Sequence, residues 1–413
     1  MLDLIIKNGS CYIDKDLKNH DIAIKDGKII KIGKIDEDAS NIFDAKGLIV
    51  LPGCIDTQTH FREPGSTDTE DLHSGSKAAI VGGITSVFEM PNTNPPTSTK
   101  KEFQRKLDLA KNRMYCNYAF YFGATANNAN ELADLKNLEG CCGIKLFAGS
   151  STGNLLVADE KDIENVFQNS SKVVAVHSED EEILNINKKL IKNGDVNSHP
   201  IWRSEECAIS STRRIVRIAE RYNKKAHVLH ITTKQEIDFL SQHKGNITFE
   251  ITPQHLTIYA PDCYEKLGTY AQMNPPIRDK SHYDRLWYAV KNNINETIGS
   301  DHAPHLKKNK DKDYPNSPSG MPGVQTLMPV MLNHVNNGKL SLEQLMNSVC
   351  ENPVKIFGIK NKGYIKKGFD ADFTIIDLNK VIEIKNENIE SKCGWSPFDG
   401  YKFKGTPVVS IIN

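Results

Sequence analysis

Three histidines, an aspartate and a lysine stand where apolar runs of this chain give way to polar residues. They are His60, His177 and His230, with Asp301 and Lys145. One such histidine is most often a hydrogen-bonded core or rim residue. Several of them on consecutive runs converge on one pocket if the runs lie side by side. Imidazole and carboxylate together are zinc-type ligands, and no cysteine occupies a competing run end. The chemistry implied is metal-assisted hydrolysis. Lys145 lies inside the apolar stretch from Gly143 to Ala148. A buried ammonium is costly, so such a lysine snorkels, pairs or changes its chemistry. Two readings stay open: an ion pair with Asp301 or another inward carboxylate, or a lysine carboxylated by carbon dioxide into an anionic ligand able to bridge two metals. Arg62 and Asn94 form a second group, which His305, four residues beyond Asp301, can join. Arginine binds carboxylates through two parallel hydrogen bonds and asparagine adds a neutral donor, so the three suit a carboxylate-bearing substrate. For Arg62 the plain alternative is an ion pair with Glu63 or another acid.

The elements that must position these groups follow from periodicity. Eight apolar runs, at 48–56, 84–92, 117–125, 143–149, 172–180, 227–233, 247–256 and 295–304, are separated by helix-like stretches such as EFQRKLDLAKNR. Eight such repeats over about 300 residues predict a closed (β/α)₈ barrel, whose site lies at the C-terminal ends of the strands. An open doubly wound sheet would call for a glycine-rich phosphate loop, and GxGxxG and GxxxxGK[ST] are both absent. Short β-rich segments bracket the barrel, with Asp26-Gly27 as a hairpin turn. The expected organisation is α/β: residues 1–50 and 360–413 as two parts of a small β-sandwich formed by both termini, and 51–359 as the barrel. The stretch 306–320, rich in Lys, Asn and Asp, is the expected mobile loop.

Composition excludes other classes. The chain has 413 residues, with Lys+Arg and Asp+Glu both 52, so its formal net charge is zero. That leaves no electrostatic footprint for nucleic acid or an anionic membrane. No run approaches the roughly 18 apolar residues of a membrane span, and the N-terminus lacks a secretory pattern. Nine cysteines, odd in number and without C-x-x-C, argue against disulfides and thiolate zinc sites and fit a cytoplasmic protein.

The segments LPGCIDTQTHFREPG, FEMPNTNPP, GIKLFAG, AVHSED, HVLHITTKQEI, QMNPPIRD, GSDHAPH and KGFDADFTIIDL resemble, in order along nearly the whole chain, the dihydroorotases of the amidohydrolase superfamily. The resemblance implies a TIM-like metal-dependent hydrolase barrel with a small β-sandwich. It implies reversible cyclisation of N-carbamoyl-L-aspartate to dihydroorotate, a step of pyrimidine biosynthesis, in a homodimer or larger homo-oligomer. It assigns His60 as the second histidine of an H-x-H metal pair, Lys145 as the carboxylated bridging ligand, His177 and His230 as ligands of the second metal, and Asp301 as ligand and proton shuttle. Arg62, Asn94 and His305 would bind the substrate carboxylate, and Asn274 the pyrimidine ring. Allantoinases, hydantoinases and dihydropyrimidinases share the metal motifs, but their substrates give Arg62 little to bind. Two departures stand out. The H-x-H pair reads Gln58-Thr-His60, and T-P-H-H-L reads Thr252-Pro-Gln254-His255-Leu256. With Gln58 in place of a histidine, one zinc per chain is expected in preference to two. Because some dihydroorotase-like chains that lost ligands are non-catalytic partners of aspartate transcarbamoylase, that association is the alternative. Lys145, His177, His230 and Asp301 argue for a working site.

Overall fold

Strands that are covered by helices on one side and packed across a barrel interior on the other must be apolar on both faces. The central runs meet that demand: every residue of Cys54–Thr59, Ile84–Glu89 and Cys141–Phe147 is buried. In the computed structural model, which describes residues 1–413, these strands join Asn117–Gly123, Val174–His177, Ala226–Val228, Ile247–Ile251 and Thr297–Ile298. Together they make one eight-stranded sheet whose neighbours follow chain order and run parallel. The eighth strand is only two residues long. The first and last strands therefore meet beyond its end. His60 N donates to His302 O at 2.8 Å and His302 N to Gln58 O at 3.3 Å, with Thr59 opposite His302 in a parallel bridge. The architecture is the expected (β/α)₈ barrel, distorted where it closes.

The run 48–56, expected as one strand, is divided between two sheets. Ile49–Pro52 pairs with Phe373–Glu383 and Ser10–Ile13, whereas Cys54–Thr59 pairs with Ile84–Glu89. Gly53 is the splice. Its N–H donates to Asp372 O at 2.8 Å, and a Cβ there would lie 2.3 Å from Thr85 Oγ1 and 2.7 Å from Asp372 Cβ. Apolar periodicity continues through a position that only glycine can fill.

The terminal segments build two further sheets. Lys28–Gly33, Asp21–Lys25, Leu2–Lys7 and Ala39–Asp44 form one; Lys402–Ile411, Phe373–Glu383, Ile49–Pro52, Ser10–Ile13 and Asp16–Asn19 form the other. Their facing side chains, among them Ile6, Ile22, Val50, Phe373 and Ile375, share one apolar core. The turn at Asp26-Gly27 joins two antiparallel strands as expected. The stretch 306–320 keeps an exposed outer side but is anchored inwards by buried residues, among them Lys310 and Tyr314.

One buried ion pair supports the site from below. Glu89 ends the second barrel strand and pairs with Lys106 of helix Lys100–Ala110, both side chains being almost wholly enclosed. Lys106 Nζ also donates to Met90 O at 2.9 Å, and Glu89 Oε1 accepts from Phe61 N at 3.2 Å. Removing one partner leaves an uncompensated buried charge, at a cost of about 3–5 kcal/mol. Lys106→Met should lower unfolding free energy by that amount in denaturant titration. The double variant Lys106→Met/Glu89→Leu should recover much of it; a single-variant loss below about 1 kcal/mol would show that the pair carries no such burden.

Candidate functional site

Three site residues bend the chain at strand ends. Arg62, His230 and Asp301 hold left-handed backbone angles, with φ of 61°, 39° and 44°. Residues other than glycine adopt this region at a cost of roughly 1–3 kcal/mol each, which surrounding structure must offset. Here the bends follow the first, sixth and eighth strands and bring their side chains to one chamber.

That chamber is lined by Gln58, His60, Arg62, Lys145, His177, His230, Asn274 and Asp301, with Asn92, Phe147, Ser151, Thr152, Ala303, Ser319 and Gly320. Asn94 and His305 line an adjoining outer chamber of about 360 Å³, and Arg62, Asn92 and Thr152 border both. The residues expected to hold metal thus share the inner space. The residues expected to hold a carboxylate sit at its outlet, and Arg62 stands between the two.

Hydrogen bonds fix which ring nitrogens are free. Asn92 Nδ2 donates to Thr152 O at 2.8 Å, so its Oδ1 faces His60 Nδ1 at 2.7 Å as an acceptor. The His60 proton therefore sits on Nδ1, and Nε2 turns a lone pair towards Asp301 Oδ1, 3.3 Å away. His177 Nε2 is 2.9 Å from Glu179 Oε2, which also pairs with Arg203, so His177 Nδ1 is bare. It lies 3.1 Å from His230 Nε2, while His230 Nδ1 is buried without a partner. Either tautomer of His230 leaves a buried nitrogen unsatisfied. Two nitrogens bound at about 2.0–2.1 Å to one tetrahedral cation would be roughly 3.4 Å apart. The pair therefore fits a divalent cation, and Glu179 is the carboxylate that such a ligand's other nitrogen commonly meets. By contrast Glu205, Asp279 and His282 cluster elsewhere, and there His282 uses both nitrogens, with Glu205 at 2.9 Å and Lys234 N at 3.0 Å.

Burial sets the charge states. It holds His60 and His230 well below the ordinary histidine range, helped by Arg62 beside His60 and by His177 beside His230. Lys145 is pushed down to about 7 by burial, against the attraction of Asp301 and Glu250. Its Nζ lies 4.5 Å from the Phe147 ring centre, and no carboxylate pairs with it directly. The plain ion-pair reading of Lys145 is therefore not what the structure contains. Asp301 is pushed up to about 7 by burial, opposed by Lys145.

The two departures differ in kind. Gln58 enters the chamber where a ligand was expected: its Nε2 donates to Asp301 Oδ1 at 2.8 Å and its Oε1 is buried without a partner. Gln254 lies behind the site, donating to Ser300 O at 2.9 Å, and His255 turns to Thr252 Oγ1 at 2.7 Å. Sequence reasoning missed Glu179, Arg203 and His199. Glu179 was within reach, since two residues after His177 it shares a side of the strand exit. His199 was not. It comes from the loop after the fifth strand and is fully buried, its Nε2 3.0 Å from both Asn274 Oδ1 and Met273 O.

An eight-stranded parallel barrel that gathers imidazoles, an aspartate and an inward lysine at its strand ends defines a hydrolase of the metal-assisted barrel class. The chain belongs to the amidohydrolase family, whose profile matches residues 49–413. It is 36% identical to the dihydroorotase of Methanosarcina acetivorans, over 97% of this chain and 89% of that one. It is 34% identical to that of Methanosphaera stadtmanae, over 100% and 95%. Among solved structures it is similar to the L-hydantoinase (dihydropyrimidinase) of Arthrobacter aurescens, with a TM-score of 0.95 and 31% identity, covering 100% of this chain and 95% of that one. Cyclic-amide hydrolysis is common to these relatives' names, and the family is generally metal-dependent.

Two measurements check the ligand set. Glu179→Gln should weaken zinc binding about 10–100-fold in a competition titration; unchanged affinity would remove Glu179 from the support of His177. Protein purified without chelators should carry about one zinc per chain, and Gln58→His should raise that number, because imidazole is the better zinc ligand. A wild-type content of two would contradict the weak first-strand site.

Proposed function

We propose that this protein is a zinc-dependent dihydroorotase, interconverting N-carbamoyl-L-aspartate and dihydroorotate. The observation that carries the reading is Arg62. Arg62 is 6% exposed, borders both chambers and has no carboxylate partner. Nε donates to Pro304 O at 3.3 Å, which leaves the outer edge of the fork for an incoming group. Burial lowers Arg62 only to about 10, so it keeps its charge at neutral pH. A carboxylate accepts both prongs of such a fork. The rings acted on by hydantoinases lack that carboxylate, and the proteins named dihydroorotase at 34–36% identity support the choice.

The residues divide the work as follows. Asn94 joins Arg62 at the outlet to hold the carboxylate. Asn274 faces the ring, and because its Oδ1 already accepts from His199, its NH₂ is the group left to meet a ring carbonyl. These contacts far from the reacting atoms orient the scissile amide. Lys145, held near neutrality, has the free amine that attacks carbon dioxide; a C–N bond forms, one proton leaves, and an anionic carbamate results. His177, His230 and this carbamate would hold the zinc, with His60 and Asp301 left to the weaker first-strand site; a bound zinc would lower the pKa of water towards ~7 and polarise the carbonyl. Asp301 takes the water proton and passes it to the ring nitrogen that leaves.

A panel of dihydroorotate, dihydrouracil and hydantoin tests the reading, with dihydroorotate expected to react best. Preference for an uncharged ring would place the protein with the hydantoinases. Arg62→Met should raise KM for dihydroorotate about ten- to a hundredfold, the worth of hydrogen bonds to a charged group; an unchanged KM rejects the clamp. Asp301→Asn should lower kcat by at least about 10²-fold, and retained turnover rejects its proton role.

A further inference from the structure

The stretch 306–320 was expected to be mobile because it is polar and rich in lysine. One of those lysines is instead fully enclosed. Lys310 has no exposed surface, and its ammonium donates to three backbone carbonyls: Pro318 O at 2.8 Å, Gln272 O at 3.2 Å and Gly320 O at 3.3 Å. An ammonium has three N–H donors, so all are matched. No carboxylate accompanies it. The Trp395 ring lies beside it, its centre 5.7 Å away. Burying a charge this way is costly, and burial pushes Lys310 down to about 7. A surface loop that needed only to be closed would use a neutral residue.

The three carbonyls belong to two walls of the site. Pro318 and Gly320 flank Ser319, whose carbonyl accepts from His305 Nε2 at 2.9 Å. That same nitrogen lies 3.5 Å from Arg62 Nη2. The Nε2 proton is committed to Ser319 O, so the contact fixes the His305 ring beside Arg62 and leaves the guanidinium as the donor to an incoming acceptor oxygen. Gln272 leads to Asn274 in the opposite wall, and its carbonyl also accepts from Gly320 N at 2.9 Å. The Gln272 side chain completes the seam, donating to Ser319 Oγ at 3.0 Å and to Ser317 O at 3.1 Å. At Gly320 the fit is close enough that a Cβ would lie 3.0 Å from the His305 ring. A small displacement of this loop therefore moves His305.

We propose that Lys310 is a positioning residue for substrate recognition: its ammonium draws the Pro318–Gly320 and Gln272–Asn274 segments together, so that Ser319 O holds the His305 ring against Arg62 and sets the guanidinium where it receives the substrate carboxylate. The inference rests on the dihydroorotase reading for the identity of the carboxylate, and on geometry alone for the positioning. It assigns no chemistry to Lys310, which touches no reacting atom.

The test uses the zinc-loaded full-length chain with Lys310→Met, which keeps length and bulk and removes the charge. Amide hydrogen exchange without substrate should accelerate at residues 303–306, 317–321 and 270–275, while the rest of the barrel exchanges as in the wild type. KM for dihydroorotate should rise roughly tenfold, as expected when a charged group loses a hydrogen bond, with kcat within about twofold and with turnover of dihydrouracil unaffected. Should Lys310→Met not fold, Gln272→Met cuts the same seam and should give the same selective pattern. Unchanged exchange in those segments overturns the positioning role whatever the substrate is. An equal loss of kcat on charged and uncharged rings also overturns it, by showing a general structural defect. If the wild type fails to process dihydroorotate while the exchange effect appears, the substrate reading fails and the positioning stands.

Discussion

The site exists because the barrel closes where it has almost no strand left. The eighth strand is two residues long, and the sheet is completed by the hydrogen bonds between His60, Gln58 and His302. Those bonds are formed by the neighbours of the chemically active side chains. Closing the barrel therefore sets Gln58 and His60 against Asp301 within hydrogen-bond range. The left-handed bends at Arg62 and Asp301 lie just past this seam. Their strain is tolerable because the closed sheet on one side and packed loops on the other leave the backbone no alternative.

Charge is distributed against the average of the molecule. The sequence balances to zero, yet the two chambers contain Arg62 and Lys145 with Asp301 as the single acid among the lining groups. The imidazoles are held neutral by burial, so they add ligand capacity without adding charge. The outer chamber, where Arg62 is the one charged lining group, is a space of low dielectric suited to an anionic group. Whole-chain composition cannot reveal such a local excess.

Much of the fold and of the chamber was legible in the sequence. Eight apolar runs, most of them buried on both faces, have a pattern that little else produces, and the run-end histidines inherit their positions from it. Gly53 shows where pattern stops: hydrophobic periodicity records burial, not which sheet does the burying. Glu179 and His199 show a second limit. Their roles depend on ring nitrogens of other residues, and His199 reaches Asn274 from far along the chain. Lys310 shows a third. Among several lysines in one polar loop, the enclosed one is distinguished only by three carbonyls that the tertiary structure brings to it.

The splice at Gly53 also orders events during synthesis. Ile49–Pro52 emerges from the ribosome before the barrel, and its partner strand Phe373–Glu383 and the outer strand Lys402–Ile411 emerge after it. The barrel between them is built from sequential neighbours, whereas the five-stranded sheet must wait for strands from beyond the barrel. Until then an apolar edge that leads straight into the first barrel strand stays open. Phe373–Glu383 thus acts as the seal of that edge, and a chain without it would hold a barrel with an aggregation-prone edge uncovered.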